Sequence, residues 1–277
     1  MLEEILSCMA IAKVYKKDQR IQTRHRIRLA KSFGIEPGDR ILEIGCGQGD
    51  TTAVLAYMVG DEGFVHGIDI ASSDYGSPVS VGESAEFLMN SSLGDRIRME
   101  YEVDFLGDDV FLDQEGYDVV VLSHSSWYLK SHDELLEILQ KANKVADRLC
   151  FAEADIRIDR MEQLPHLLAV LIQAQIESVK TNSTANIRTL VTRDDAIRLM
   201  NRAGWRIVEE ARIHEPDLQD GDWEIQYTLH EALLELERME TPSEKWGDLL
   251  QSMGELLEHY ENQGMSAPLG SYILIGE

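Results

Sequence analysis

Residues 41–49 read Ile-Leu-Glu-Ile-Gly-Cys-Gly-Gln-Gly (ILEIGCGQG), a short apolar run followed at once by glycines at 45, 47 and 49. Such a run reads as a buried strand, and the glycines as a loop that turns tightly and lets a ligand approach the backbone. The segment Asp50–Val59 (DTTAVLAYMV) then reads as a helix, with Asp50 as its cap and Gly60 as its stop. Strand, glycine loop and helix in this order open a doubly wound α/β sheet, where ligands sit beyond the carboxyl ends of the strands. A dinucleotide fingerprint, G-x-G-x-x-G, would place its third glycine at position 50, but Asp50 stands there. An acid beside that helix N-terminus repels a pyrophosphate, which disfavours an NAD(P)-linked oxidoreductase.

The alternation continues outward from this stretch. Residues 3–33 read as one helix, with Ile11, Val14, Ile27, Ala30 and Phe33 at helical intervals and Gly34 as the stop. Residues 63–70 (GFVHGIDI), 96–103, 117–122 (YDVVVL) and 148–153 (RLCFAE) read as strands two to five. Helices are expected over 81–92 and 132–146 between them. The near-continuous apolar character of 117–122 suits a parallel strand covered on both faces. Beyond residue 155, helices are expected at 162–180, 192–203, 223–240 and 244–260, and strands at 205–213 and 269–275. The helix 162–180 carries Leu164, Leu168, Leu171, Ile172 and Val179 as its apolar face, and 244–260 carries Trp246, Leu249, Met253, Leu256 and Tyr260.

Two acids sharpen the reading of the loop. Asp69 ends strand two, 20 residues after Gly49, where a carboxylate accepts both hydroxyls of a ribose. Asp104 ends strand three and is followed by Phe105, a pair suited to an adenine amino group and ring. With these residues the chain resembles the class I S-adenosylmethionine-dependent methyltransferases. Glu43-x-Gly45-x-Gly47-x-Gly49 matches their first motif, Asp69 their ribose-binding acid, Asp104-Phe105 their adenine motif, and Tyr117–Leu122 their fourth strand.

The resemblance covers roughly residues 37–155 and implies a seven-stranded, mostly parallel sheet whose last two strands, 205–213 and 269–275, form an antiparallel hairpin. It implies S-adenosylmethionine as cofactor and S-adenosylhomocysteine as product. Gly45, Cys46, Gly47, Gly49, Ile70 and Ser123 join Glu43, Asp69, Asp104 and Phe105 as the implied binding residues, with Glu43 near the ammonium group. More narrowly, the chain resembles cyclopropane-fatty-acid-synthase-like and UbiE-like proteins, although no carbocation-handling site is visible in it. The segment Ala71–Ser80 (ASSDYGSPVS) departs from the family pattern as a turn-rich insertion, either an inert loop or a cover over the cofactor.

Methyl transfer from a sulfonium is an in-line displacement, so the protein must hold an acceptor near the methyl in a water-poor pocket. His124, following strand four, is the expected base, against a structural role in hydrogen bonding to backbone. Trp127 and Tyr128 are expected as pocket walls, with His166, Arg188 and Trp223 as further acceptor-side candidates. Core packing, a loop hydrogen bond or a helix start are the bland alternatives for these. A metal site is not expected, because Ser123 and His124 stand where a catechol-type magnesium site needs an acid.

The chain has 277 residues, 44% of them hydrophobic, and no apolar run near the roughly 18 residues of a membrane span. It is expected to form one domain: a core at about 37–155 with the two late strands, and a helical cap from 1–35, 157–190 and 215–265. The N-terminus lacks the basic start of a secretory signal, so a cytoplasmic location is expected. Cys8, Cys46 and Cys150 show neither disulfide nor zinc spacing, and the sequons at Asn90 and Asn182 read as chance. A net charge of −24 argues against nucleic acid as partner and leaves a small, partly apolar molecule, with a homodimer as the expected assembly. The charge is uneven: residues 13–31 carry +7 and residues 215–261 carry −12. These read as solvated helix faces or, more sharply, as a basic segment steering an anion and an acidic flap favouring a cationic or neutral ligand. A fold retained as a non-catalytic binding module is the alternative to an enzyme.

Overall fold

The computed structural model describes residues 1–10, 16–107, 112–113, 116–181, 183, 185–236, 238–239 and 243–277. Among them, seven strands form one sheet in the order β3-β2-β1-β4-β5-β7-β6. The strands are β1 (Arg40–Ile44), β2 (Phe64–Ile68), β3 (Ile97–Glu100), β4 (Tyr117–Ser123), β5 (Ala146–Asp155), β6 (Ile207–Ile213) and β7 (Gly270–Gly276). Strands β1 to β5 pair in parallel, and β7 runs antiparallel between β5 and β6. This is the expected doubly wound sheet with its late antiparallel pair.

Alternation along each strand splits the apolar residues between two cores. Ile41, Val65, Val119, Val121, Cys150 and Ile273 face one layer, while Leu42, Ile68, Val120, Leu122, Phe151 and Leu274 face the other. All are essentially inaccessible, and each such side chain contributes about 1.5–3 kcal/mol on burial. Helices α1 (Leu2–Ser7), α2 (Lys16–Ser32) and α3 (Asp50–Val59) serve the first layer with α4 (Val81–Met89). The second layer holds α5 (His132–Ala142) and α7 (Arg193–Arg202). A third, smaller core joins α6 (Leu164–Glu177), α8 (Asp220–Tyr227), a π-helical turn at Thr228–Ala232, α9 (Leu233–Leu236) and α10 (Glu244–Glu261).

Several expected boundaries shift. The helix expected at 3–33 is two helices, α1 and α2, with a turn after Ser7; Ile11 and Val14 lie outside the described residues, as do Asn182 and Thr184. Strand β3 stops at Glu100, where Glu102 takes a left-handed backbone (φ 57°) and breaks the ladder, so Asp104 lies beyond the strand rather than at its end. The apolar face of α10 is broader than expected: Trp246 and Met253 pack against the third core as expected, Leu250, Gly254 and Leu257 are buried beside them, and Leu249 and Leu256 are exposed. Gly254 lets Leu233 pack closely on α10, since a Cβ there would stand 2.5 Å from Leu233 Cδ1 and make that side chain shift. In α6 the face is wider than expected, with Ala169, Val170, Ile172 and Ile176 buried and Val179 left exposed beyond its end.

Asp50 does not cap α3. The N-cap is Gly49 in the left-handed region, without a side-chain cap. Asp50 instead accepts from Gln19 Nε2 (2.8 Å) and pairs with Arg26 (3.2 Å), tying α2 across the glycine loop.

Candidate functional site: a glycine loop, a strand-end acid and a polar cap

The strand order reverses at β1, whose neighbours are β2 and β4, so a crevice opens between β1 and β4 at their carboxyl ends. The glycine loop lies in it. The amides of Gly45 and Cys46 donate to Ile68 O at 2.9 and 3.2 Å, which turns the chain back over β2. Gly45 has φ 79° and a Cβ there would sit 2.6 Å from Ser125 Cβ, so the β1 and β4 loops touch only because residue 45 lacks a side chain. Gly47, also at positive φ, has no atom within 4 Å of where its Cβ would be, so that side of the loop is open.

Asp69 anchors the loop from the side. Its Oδ2 accepts the Gly47 amide at 2.8 Å and its Oδ1 the Ala71 amide at 2.9 Å. The Val103 amide donates to Asp69 O, which brings the Asp104 segment beside Asp69 as expected. Asp104 Oδ1 accepts the Leu106 amide at 2.9 Å. Phe105 departs from its expected role: it is 4% exposed, packs into the second core, and has Lys141 Nζ 5.2 Å from its ring centroid. The apolar side chain presented beside Asp69 is Ile70, which is 66% exposed.

Glu43 is 2% exposed, and its Oε2 accepts from Thr52 Oγ1 at 2.6 Å. Burial pushes its carboxyl up to about 8, against a smaller opposing pull from the Thr52 bond and from Arg26. No cation lies within salt-bridge distance of it among the described residues. Tyr101 and Cys46 sit in the same negative surroundings, and both have their ionisation pushed up, chiefly by burial. Tyr101 also braces the loop by donating to Gly47 O at 2.9 Å.

The insertion at 71–80 folds back along this edge. Gln48 Nε2 donates to Val79 O (2.6 Å), the Gly82 amide to Ser73 O and the Val81 amide to Tyr75 O. Ser80 then caps α4 with a reciprocal bond to Glu83. Tyr75 stands exposed, and after burial its charge is the next cause raising the Tyr128 hydroxyl.

His124 follows β4 with a left-handed backbone (φ 53°), uncommon for a residue other than glycine. Its Nε2 shares a hydrogen bond with Ser271 Oγ at 3.0 Å and its Nδ1 with Ser123 Oγ at 3.3 Å. His25, on α2, meets it edge-on and shares Ser271. Burial, then the charges of His25 and Arg26, push the His124 imidazole down to about 3. A base tuned near neutral pH is therefore not what this environment makes of His124; it holds β4, β7 and α2 together.

The other acceptor-side candidates divide. Trp127 packs in the second core, its Nε1 pointing to Val191 O at 3.4 Å, and its carbonyl accepts the Arg188 and Thr189 amides. His166 is buried, its Nδ1 accepts the Leu269 amide at 3.0 Å, and burial pushes it down to about 4. These two hold structure rather than line a pocket. Tyr128 is 42% exposed, and burial of its hydroxyl, with Tyr75, Glu153 and Glu224 nearby, pushes it up to about 12. The Arg188 Nε donates to Ala185 O at 3.0 Å, and its charge slightly opposes the rise at Tyr128. Trp223 is exposed on α8.

Sequence reasoning missed two groups, Arg26 and Asp220; Glu153 and Glu224 complete the arrangement. Arg26 lies among Asp50, Glu43, His124 and Asp220 and acts on all of them. Glu153 ends β5 fully buried; Oε2 accepts from Ser126 Oγ (2.7 Å) and its amide, Oε1 from the Ala154 amide, and burial pushes it up to about 7. Asp220 and Glu224 on α8 are raised by burial, and Gln173 Nε2 donates to Glu224 Oε2 at 2.7 Å. The acidic character of 215–261 hinted at the last pair but not which of its acids face inward. The uneven charge resolves as internal pairing: Arg24 and Arg28 of the basic helix hold buried Glu215, Arg24 also holds Asp217, and Arg20 holds Glu3.

The comparisons agree with this geometry. Residues 12–75 match the protein-L-isoaspartate (D-aspartate) O-methyltransferase family model. The crystal structure of a cyclopropane-fatty-acyl-phospholipid synthase-like protein from Lactobacillus casei superposes with a TM-score of 0.89 at 34% identity, covering 99% of this chain and 98% of that one. The methyltransferase phomM′ of Diaporthe leptostromiformis is 26% identical over 238 residues, 72% of this chain and 62% of its own length. The ubiquinone/menaquinone biosynthesis C-methyltransferase UbiE of Teredinibacter turnerae is 51% identical over 51 residues, 17% of this chain and 20% of that protein. The chain thus spans less than two thirds of the curated relatives it matches over most of its own length.

A sheet that switches direction over a glycine loop with an acid at the end of β2 defines a Rossmann-like nucleoside-binding fold. Within it, this chain belongs to the class I S-adenosylmethionine-dependent methyltransferase family. The residues present fit that cofactor: the loop is open at Gly47, an exposed apolar side chain follows Asp69, and Glu43 is a buried carboxyl without a cation.

Proposed function

We propose that the chain transfers a methyl group from S-adenosylmethionine to a small, partly apolar molecule. The observation that carries this is the bond from the Gly47 amide to Asp69 at the switch point, which fixes the loop and aims the acid. Glu43 takes the ammonium group, Gly45, Cys46, Gly47 and Gly49 lie along the amino-acid portion, and Asp69 binds the ribose hydroxyls. Ile70 and Asp104 serve the adenine, with Phe105 supporting that segment from the core, and Ser123 borders the cofactor from β4.

When bound, the cofactor supplies an electrophilic methyl on a sulfonium. The chain's own task is to orient the acceptor and exclude water. Tyr128, Arg188 and Trp223 face the acceptor, with α2, α8 and the 71–80 insertion as the cover. His124 and His166, pushed down to about 3 and about 4 by burial, are weak bases for the step. The chain works in the cytoplasm in this reading, and the charge of −24 argues against a nucleic acid as acceptor. The exposed leucines of α10 suit a homodimer, which light scattering would detect.

Isothermal titration tests the reading. S-adenosylhomocysteine should bind and NADPH should not, and Asp69→Ala should abolish the binding. Tight NADPH binding without S-adenosylhomocysteine binding would overturn it. Cofactor binding with no turnover across an acceptor panel would favour the non-catalytic module.

A further inference from the structure

The described residues leave four buried side-chain oxygens without a hydrogen-bond partner: Gln173 Oε1, Glu177 Oε2, Gln219 Oε1 and Asp220 Oδ2. All four are acceptors, and all lie on α6, on α8 or at the residue before α8. Glu177 has Lys180 Nζ 2.6 Å from its other oxygen, so its charge is met; buried acceptors left unpaired are costly, and the remaining three point to a donor that the described residues do not supply. Gln173 is 3% exposed, and its amide is fixed by Nε2 bonds to Glu224 Oε2 (2.7 Å) and Thr228 Oγ1 (3.0 Å), which leaves Oε1 open beside Glu224.

Two carboxylates stand in the same place. Asp220 and Glu224 are one turn apart on α8, and each has its protonation favoured, chiefly by burial. Among the described residues, neither has a lysine or arginine within salt-bridge distance, although Arg26 acts on Asp220 from farther off. Glu224 raises the Tyr128 hydroxyl through its charge, after burial and Tyr75, and Tyr128 is 42% exposed. Arg188 supplies positive charge on the Tyr128 side.

Acceptor oxygens in want of hydrogens beside carboxylates in want of a cation are the chemistry that recognises a protonated amine. We propose that the α8 face formed by Asp220 and Glu224, with Gln173 of α6 beside them, is a subsite for an ammonium group. Its description as part of the acceptor site rests on the methyltransferase reading; the binding itself does not. An acceptor that also carries an anion would place it toward Arg188.

The test uses the full chain and three probes of one shape: n-hexylamine, n-hexanol and hexanoate, by saturation-transfer NMR at pH 7.5, with and without S-adenosylhomocysteine. Hexylamine should bind at least about tenfold tighter than hexanol, with hexanoate weakest, in keeping with one charge-assisted hydrogen bond. The double variant Asp220→Asn, Glu224→Gln should lose that preference while keeping the wild-type circular dichroism. Equal binding of the three probes, or a preference that survives the double variant, would overturn the proposal. Should the double variant not fold, the wild-type ranking of the three probes decides alone. A chain that ranks the amine first yet ignores S-adenosylhomocysteine would sink the methyltransferase reading and leave the ammonium subsite standing.

Discussion

Replacing Glu43 by glutamine separates what the loop does for stability from what it does for the ligand. Glu43 is almost wholly buried, and burial moves its carboxyl from an ordinary 4.5 to about 8. A carboxyl raised on folding supports the folded state fully below its unfolded pKa and withdraws that support as pH climbs through the folded one. Near neutral pH the wild-type protein therefore gives up about 3 kcal/mol relative to an uncharged group in the same place. Glutamine keeps an acceptor for Thr52 Oγ1, which now bonds Glu43 at 2.6 Å, and does not titrate. The stability of Glu43→Gln should thus gain on wild type by roughly 1.4 kcal/mol per pH unit between about pH 5 and pH 8. A fixed offset from the new amide hydrogens moves both ends of that line equally. Urea unfolding of the free protein at four pH values reads the slope, and parallel wild-type and variant curves would refute the reasoning. The ligand side runs the other way. An ammonium group placed at Glu43 draws the carboxyl into its charged form, so S-adenosylhomocysteine binding at pH 7 should release close to one proton. Titration calorimetry in two buffers of different ionisation enthalpy measures this. Glu43→Gln should release none and bind about 10–100-fold more weakly.

Gly45→Ala combines a positive φ with a contact 2.6 Å from Ser125 Cβ. It should cost about 1–3 kcal/mol in thermal unfolding and remove cofactor binding, because the β4 loop must retreat from the glycine loop. Normal binding would show that the two loops do not depend on each other. His124, pushed down to about 3, should show no imidazole titration by NMR between pH 5 and pH 9; a midpoint near 6.5 would restore the base. Asp155 is buried between Arg157 (2.8 Å) and Arg212 (3.0 Å), which pull its carboxyl below the ordinary range. Asp155→Ala should destabilise by about 1–3 kcal/mol: it removes a buried acceptor at the end of β5, while Arg157 is half-exposed and Arg212 keeps Asp159. The wild-type contribution should fade as pH falls through the lowered pKa, and an acid-stable difference between the two proteins would count against the pairing.

The sequence by itself determined the sheet and the donor side of the site. Short apolar runs that alternate with helical periods fix the order of strands, because burial on both faces of a parallel sheet leaves few other solutions. The same local logic placed Gly45, Gly47 and Asp69 together, since a ligand at a switch point is built from residues adjacent to strand ends. What lies beyond local pattern was decided only in three dimensions. Whether an aromatic such as Phe105 or Trp127 faces a ligand or a core depends on what packs over it, and here both turn inward. The fate of His124 was set by Ser271 and His25, residues 147 and roughly a hundred positions away along the chain, whose approach no spacing rule anticipates. Likewise the basic helix and the acidic segment carry charges that could have faced water. They were brought together across the fold at Arg24 and Glu215, while Asp220 and Glu224 sit half-buried with no salt-bridge partner among the described residues, and that difference is one of environment rather than residue type.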